Sequence, residues 1–193
     1  MSLKKKAVLF YGVIFILVLV LILGYANSGI KIKVGNQKIT EKIINYEIGV
    51  TKAYSDNPEN TASNFKIPAT VELMRLMLEK EVALKNNLTV TPQEISDFSE
   101  YVDKNTKAPK ILDKIKEIFT KDQESYRNTF LAPKINILKL QDFYTKKSGS
   151  INGFDEWFQK EAQNIPIQIF DKELKGKICT QYQAVWWLKT ACK

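Results

Sequence analysis

The sequence predicts a mainly α-helical domain behind an N-terminal transmembrane helix, with a short β-strand at each end of the helical body. Three observations carry this. An uninterrupted apolar run opens the chain. A long apolar segment followed by a complete helix-start signal occupies its middle. Two short stretches alternate apolar and polar residues, one before and one after the helical part.

The apolar run opens with Ala7, closes with Tyr25 and holds no charged residue. Its 19 residues span about 28 Å as a helix, close to the ~30 Å hydrocarbon core of a bilayer. Lys4, Lys5 and Lys6 flank it. The run is longer than the ~7–15 apolar residues of a signal peptide, which favours an uncleaved anchor. The competing reading is a cleaved signal with its site after Ala26, giving a secreted soluble form. Either reading implies export, with the body extracytoplasmic, on the periplasmic or outer face of a single-pass cell-membrane protein. Lys31, Lys33, Lys38 and Lys42 follow closely on the far side and blunt the positive-inside asymmetry. The expected organisation is an anchor or signal at residues 1–28, a domain at 29–170 and a tail at 171–193.

Residues 30–39 alternate around Gly35-Asn36, a two-residue hairpin signal. Thr40 caps a helix, with Ile39 and Ile44 as its hydrophobic staple. Residues 55–68 are polar, hold two prolines and read as a loop. From Ala69 onward, Val71, Leu73, Met74, Leu76, Met77, Leu78, Val82 and Leu84 cover most of a helix circumference, so this helix is expected at the centre, contacted from several sides. Asn86-Asn87 ends it. Thr91-Pro92-Gln93-Glu94 then fits a capping box, with Pro at the first helical position and Val90 and Ile95 as staple.

Residues 105–109 break the chain, and a short helix follows over 111–119. Thr120-Lys121-Asp122-Gln123 is a second capping-box candidate. It opens a helix that Pro133 should kink or restart before the pattern continues through Tyr144. Ser148-Gly149-Ser150 forms a turn. Asn152 caps a helix bearing Phe154, Trp157 and Phe158. Residues 165–169 alternate again, as a strand that tolerates Pro166 only at an edge or at its start. In the tail, one continuous helix over 179–192 would hold Cys179 and Cys192 about 19 Å apart, whereas a disulfide needs Cα atoms within about 7 Å. The helix and the bridge exclude each other, and a disulfide and two free thiols both remain open. Trp186-Trp187 is expected to dock on the domain, with contact to a membrane interface as the alternative.

Composition removes several function classes. The formal charge is +8, and +5 without Lys4, Lys5 and Lys6. The remaining positive charge is scattered, and Arg75 and Arg127 are the only arginines. That argues against nucleic-acid binding. Histidine is absent, which excludes histidine bases and histidine metal ligands. No GxGxxG, P-loop or CxxC is present, so neither a cofactor nor a metal is expected. Glu79 and Glu81 lie on different helix faces and make no catalytic pair, and Glu94 is better used as a cap. No catalytic residue is assigned.

The order of parts resembles the N-terminal chaperone domain of the SurA/PrsA type. Val34-Gly35-Asn36-Gln37-Lys38-Ile39-Thr40 is similar to the family's strand ending in Val-Asn-Gly-x-x-Ile-Thr, with the Asn-Gly inverted. Glu72 to Leu84 resembles its leucine-rich helix, and Asn87-Leu88-Thr89-Val90-Thr91-Pro92-Gln93-Glu94-Ile95 the helix start after it. Asp122 to Tyr126 and Phe154 to Ile169 look like a later helix start and the returning helix and strand. The resemblance covers about residues 30–170 and leaves 171–193 unmatched. It implies terminal strands that pair. It also implies a chaperone part without the parvulin prolyl isomerase domain, whose active site relies on histidines.

The expected function is a membrane-tethered, extracytoplasmic, chaperone-like protein. It would bind unfolded or newly exported polypeptides through an apolar groove, without ATP or isomerase activity. Met74, Met77, Phe98, Tyr101, Phe119, Phe130 and Trp157 are the candidate contacts, because methionine and aromatic groups adapt to varied partners. The alternative is a structural or adaptor subunit of a cell-envelope complex, using the same module for one partner.

Overall fold

A computed structural model describes residues 29–55, 61–189 and 191–192. The apolar run of residues 7–25 and the cleavage site at Ala26 lie outside the described residues. Among the described residues no helix is long and apolar enough to cross a membrane.

The hairpin forms as its sequence dictates. Strands β1 (Ile30–Val34) and β2 (Gln37–Thr40) flank the two-residue turn, with Gly35 at φ 56°. Strand β3 (Ile167–Ile169) returns on the other side of β1. β1 and β3 run antiparallel, Ile32 opposite Ile169 and Val34 opposite Ile167, so the terminal strands pair. Pro166 lies just ahead of this edge strand, where no ladder N–H is needed, and its carbonyl accepts the Gly35 N–H at 2.8 Å. Ile32, Val34, Ile39 and Ile167 fall on one face of the sheet and are buried.

Thr40 caps α1 (Glu41–Ala53), its hydroxyl accepting the Ile43 N–H at 3.4 Å. Then comes the central helix, α2 (Ala62–Lys85). It begins well before Pro68, within the stretch expected to be a loop. Phe65 and Ile67 pack on the core, and Lys66 pairs with Glu41 at 2.9 Å. Those contacts outweigh the hydrogen bond that Pro68 cannot make. Asn87 ends the helix in the left-handed region at φ 59°, and the Leu88 N–H reaches back to the Ala83 carbonyl at 2.8 Å. The capping box then forms in full at the start of α3 (Pro92–Asn105): Thr91 accepts the Glu94 N–H, and Glu94 accepts the Thr91 N–H at 2.7 Å.

Helix α4 (Pro109–Ile118) follows. The next start differs from expectation. Asp122, not Thr120, is the cap of the short α5 (Gln123–Ser125), because Thr120 spends its hydroxyl on the Glu117 carbonyl that ends α4. Asp122 also accepts from Tyr46 at 2.9 Å and pairs with Lys42 at 2.6 Å, tying this corner to α1. The chain continues without a break into a π-helix, Tyr126–Leu131, and then α6 (Ala132–Ser148). The expected disturbance at Pro133 takes this form: the ring crowds the preceding turn, and the helix widens to admit it. Gly149 ends α6 at φ 78°. Helix α7 (Phe154–Ala162) starts at Gly153 and not at Asn152, whose carbonyl instead accepts the Tyr144 hydroxyl.

Two clusters form the core. The larger surrounds α2, whose Leu73, Met74, Leu78 and Val82 meet the sheet, α1, α6, α7 and the C-terminal segment. The smaller joins Val50 of α1 to Leu112, Ile115, Phe119, Tyr126, Phe130 and Leu131. Rings run through it in sequence, Tyr46 to Phe119 to Tyr126 to Phe130, with centroids 4.7, 5.5 and 5.4 Å apart. Helix α3 buries no side chain fully and rests on this cluster through Ile95, Phe98 and Val102.

The tail belongs to the domain. Asp171 caps α8 (Lys172–Gln181), which stops short of one continuous helix to residue 192. A turn leads to a short 3-10 helix, Trp186–Leu188, and Cys192 bonds to Cys179 with Cα atoms 5.5 Å apart. Leu188 and Ala191 are buried, and Trp186 and Trp187 pack against the large core. A bridge across a separation of 13 residues should contribute about 3 kcal/mol by restricting the unfolded chain. Urea unfolding with and without dithiothreitol tests this. The midpoint should fall on reduction, and the double change Cys179→Ser, Cys192→Ser should reproduce the fall. Equal midpoints would show that the bridge contributes nothing to the fold.

Candidate functional site: a cleft beside the central helix

Helix α2 buries Leu73, Met74, Leu78 and Val82, and a seam beside them carries the charges of Glu72, Arg75 and Glu79. Arg75, three residues after Glu72 and four before Glu79, meets both on the same face. Its guanidinium makes a two-bond pair with Glu72, 2.9 Å from Nε and 2.6 Å from Nη2, and donates from Nη1 to Glu79. Glu81 points elsewhere, accepting from Gln37 beside the hairpin turn, as expected for residues two apart.

Arg75 and Glu79 form one wall of a cleft of about 600 Å³. Ile137 and Gln141 of α6 extend it. Phe154, Phe158 and Gln159 of α7 stand opposite, with Asp155 and Glu156 exposed beside them. Trp186 and Trp187 close the remaining side. Phe158 and Trp186 meet edge to face at 6.5 Å, and Phe154 stacks on Phe158 at 6.1 Å. The Cys179–Cys192 bond closes the loop that bears both tryptophans, so this aromatic wall is covalently held.

Glu79 has an unusual environment. The residue is 3% exposed, and its Oε2 has no hydrogen-bond partner. Burial raises its pKa to about 7, against the opposing pull of Arg75. Glu47 of α1, also buried, rises to about 7 for the same reason, with Glu72 adding to the shift and Lys134 opposing it. A carboxyl group perturbed by burial inside a cleft marks a functional-site candidate.

The residues expected to line a client groove do not assemble into one. Met74 and Met77 are buried in the large core, Phe119 and Phe130 in the small one, and none offers surface to a polypeptide. Their apolar character is accounted for by packing. Phe98 is half-buried on α3, stacked at 6.4 Å on Tyr101, which is 62% exposed. Trp157 is half-buried in an aromatic group with Phe143, Tyr144 and Phe154, and Phe154 joins that group to the cleft. The large exposed apolar residues Tyr54, Leu84, Tyr101, Leu138, Ile151 and Phe170 fall on different elements. Sequence reasoning missed Arg75 and Glu79 as a pair. The signal was present in the i, i+3, i+4 spacing of Glu72, Arg75 and Glu79 within an otherwise apolar helix.

A second concavity of about 680 Å³ lies between α3 and the π-helix, lined in part by Ile95, Ser99, Arg127 and Leu131. Tyr126 adjoins it with an unpartnered, buried hydroxyl whose pKa burial raises to about 12. Among the described residues no group of acidic or cysteine side chains is spaced to hold a metal ion. Compared with known families, curated proteins and solved structures, the chain matches none of them.

The two buried carboxyl groups set a pH dependence. Each binds its proton more tightly in the folded chain, at a pKa of about 7, than in the unfolded one, near the ordinary value of 4.5. Between those values the folded state holds more protons, so stability falls as pH rises. The loss from about pH 5 to about pH 8 should total a few kcal/mol. Asp122 acts in the opposite direction and in a different window. Its pKa is lowered by Lys42 and Ser125, so its contribution is lost only on acidification below its ordinary value of 3.8. Urea midpoints across this range should decline toward alkaline pH, and the double change Glu47→Gln, Glu79→Gln should flatten the curve. A midpoint constant from pH ~5 to ~8 would refute the assignment.

Proposed function

We propose that the chain is an extracytoplasmic, membrane-tethered polypeptide-binding protein of the SurA N-terminal type, acting without ATP, cofactor or isomerase chemistry. The observation that carries this reading is the cleft beside α2. It joins a covalently held aromatic wall to fixed polar groups, the combination by which binding sites secure both contact area and orientation. Three further features support it. The Cys179–Cys192 disulfide suits an oxidising compartment. The pairing of β1 with β3 across a helical body agrees with the family layout that the sequence resembles. The run from Ala7 to Tyr25 has the length and flanking charge of an anchor.

The cleft replaces the broad apolar groove as the binding surface in this proposal. Its preformed walls favour short segments over large collapsed intermediates. The purified full chain should delay aggregation of a chemically unfolded client at near-equimolar ratio, read by light scattering, and Trp186→Ala should weaken the effect. No delay by the wild-type chain would sink the chaperone reading.

The burial of Met74, Met77, Phe119 and Phe130 favours a second reading, an adaptor subunit with one fixed partner, because it leaves a discrete site in place of a wide apolar surface. Crosslinking in the native envelope separates the two. A single stoichiometric partner supports the adaptor, and a heterogeneous set of exported chains supports the chaperone.

A further inference from the structure

Glu79 Oε2 is a hydrogen-bond acceptor without a donor, on a residue only 3% exposed. Such an atom is costly to bury unless something pairs with it. Its other oxygen already accepts from Arg75, and Arg75 is committed on its remaining edge to both oxygens of Glu72. The guanidinium is therefore neutralised within its own helix. Among the described residues lining the cleft it is the only cation, whereas Asp155 and Glu156 stand exposed on the opposite side with no ion pair across to it. When Glu79 is ionised the lining carries three carboxylates against one guanidinium, and Lys134, outside the lining, also acts on Glu79. Trp186, Trp187 and Phe158 supply ring faces and edges around the same space. Aromatic surface combined with carboxylates is the chemistry that recognises an alkylammonium or guanidinium group.

We infer that the cleft between α2, α6, α7 and the disulfide-closed tail is a receptor for one basic side chain, lysine or arginine, of a bound polypeptide. Glu79 Oε2 takes an N–H of the incoming cation, and Asp155 and Glu156 draw it in. Trp186 and Trp187 cover its aliphatic stem. The inference rests on the polypeptide-binding reading above and adds a specificity to it: segments carrying an isolated lysine or arginine are held in preference to purely apolar ones.

The test titrates the full chain with three short alanine-rich peptides that differ only at one central position, lysine, norleucine or glutamate. Tryptophan fluorescence and calorimetry follow binding at about pH 8, where Glu79 is mostly ionised. The lysine peptide should bind about tenfold more tightly than norleucine, as expected for a desolvated cation–π contact with a charge partner. The glutamate peptide should bind most weakly. Glu79→Gln should abolish the preference for lysine, so that the lysine and norleucine peptides bind the variant with equal affinity. That variant removes a buried charge and keeps the Arg75–Glu72 pair, so it should fold; circular dichroism checks this. The surface change Asp155→Asn with Glu156→Gln is independent of core packing and should weaken the lysine peptide alone. Equal affinity for lysine and norleucine overturns the inference, as does a lysine preference that survives in Glu79→Gln. If no peptide binds but the chain still delays client aggregation, the basic-residue receptor fails and the polypeptide-binding reading stands. If neither occurs, both fail.

Discussion

A helix that is apolar around most of its circumference cannot lie against water on any broad side, and α2 is such a helix. Leu73, Met74, Leu78 and Val82 reach different directions, and all are buried. Burying them demands partners on several sides, so the domain is arranged as a jacket: α1, the sheet, α6, α7 and the C-terminal segment each take one sector. Removing an aliphatic group from such a site costs about 2–5 kcal/mol, a large share of the stability of a domain this size. The three-stranded sheet follows from the same demand. It is too small to stand alone, but it seals one sector with Ile32, Val34, Ile39 and Ile167.

That jacket has one seam, and the chemistry of the protein collects there. Glu79 lies buried on the helix that has least access to water, so burial works against its charge while the pairing with half-exposed Arg75 favours it. Glu47 approaches from α1, and burial, with Glu72 adding to it, raises its pKa to about 7. For both Glu47 and Glu79 desolvation outweighs the attraction of the neighbouring cations.

Much of this architecture was legible in the sequence. Where a signal is local and redundant, structure followed it: the Gly35-Asn36 hairpin, the Thr40 cap, the Thr91–Glu94 capping box and the Asn86-Asn87 stop all stand as read. The departures have a common cause in tertiary contacts that no window of sequence displays. The stretch up to Pro68 reads locally as a loop, but Phe65, Ile67 and Lys66 find partners far along the chain that hold the turns before Pro68 helical. Thr120 reads locally as the cap, but its hydroxyl goes to the Glu117 carbonyl, while Lys42 and Tyr46 anchor Asp122 in its place. The site was less legible than the fold. Met74, Met77, Phe119 and Phe130 belong to types that serve core and binding surface equally, and composition cannot separate the two roles. Phe119 and Phe130 went to a second core, formed because α4 and the π-helix converge on the far end of α1.

The tail shows how a single covalent link can turn an undecided segment into part of a site. Residues 179–192 have two incompatible solutions, an extended helix or a bridged loop, and local propensity does not choose between them. The loop prevails because it places Leu188 and Ala191 in the core, which one straight helix leaving the domain could not do. Once the loop is chosen, Trp186 and Trp187 are carried over the Arg75–Glu79 seam of α2. Neither tryptophan needs to be fully buried for stability, since the bond between Cys179 and Cys192 already limits where they can go. Their half-exposed rings are thus available to a ligand at low entropic cost, which is the physical reason to look for function at this edge of the domain and not at its methionine-rich centre.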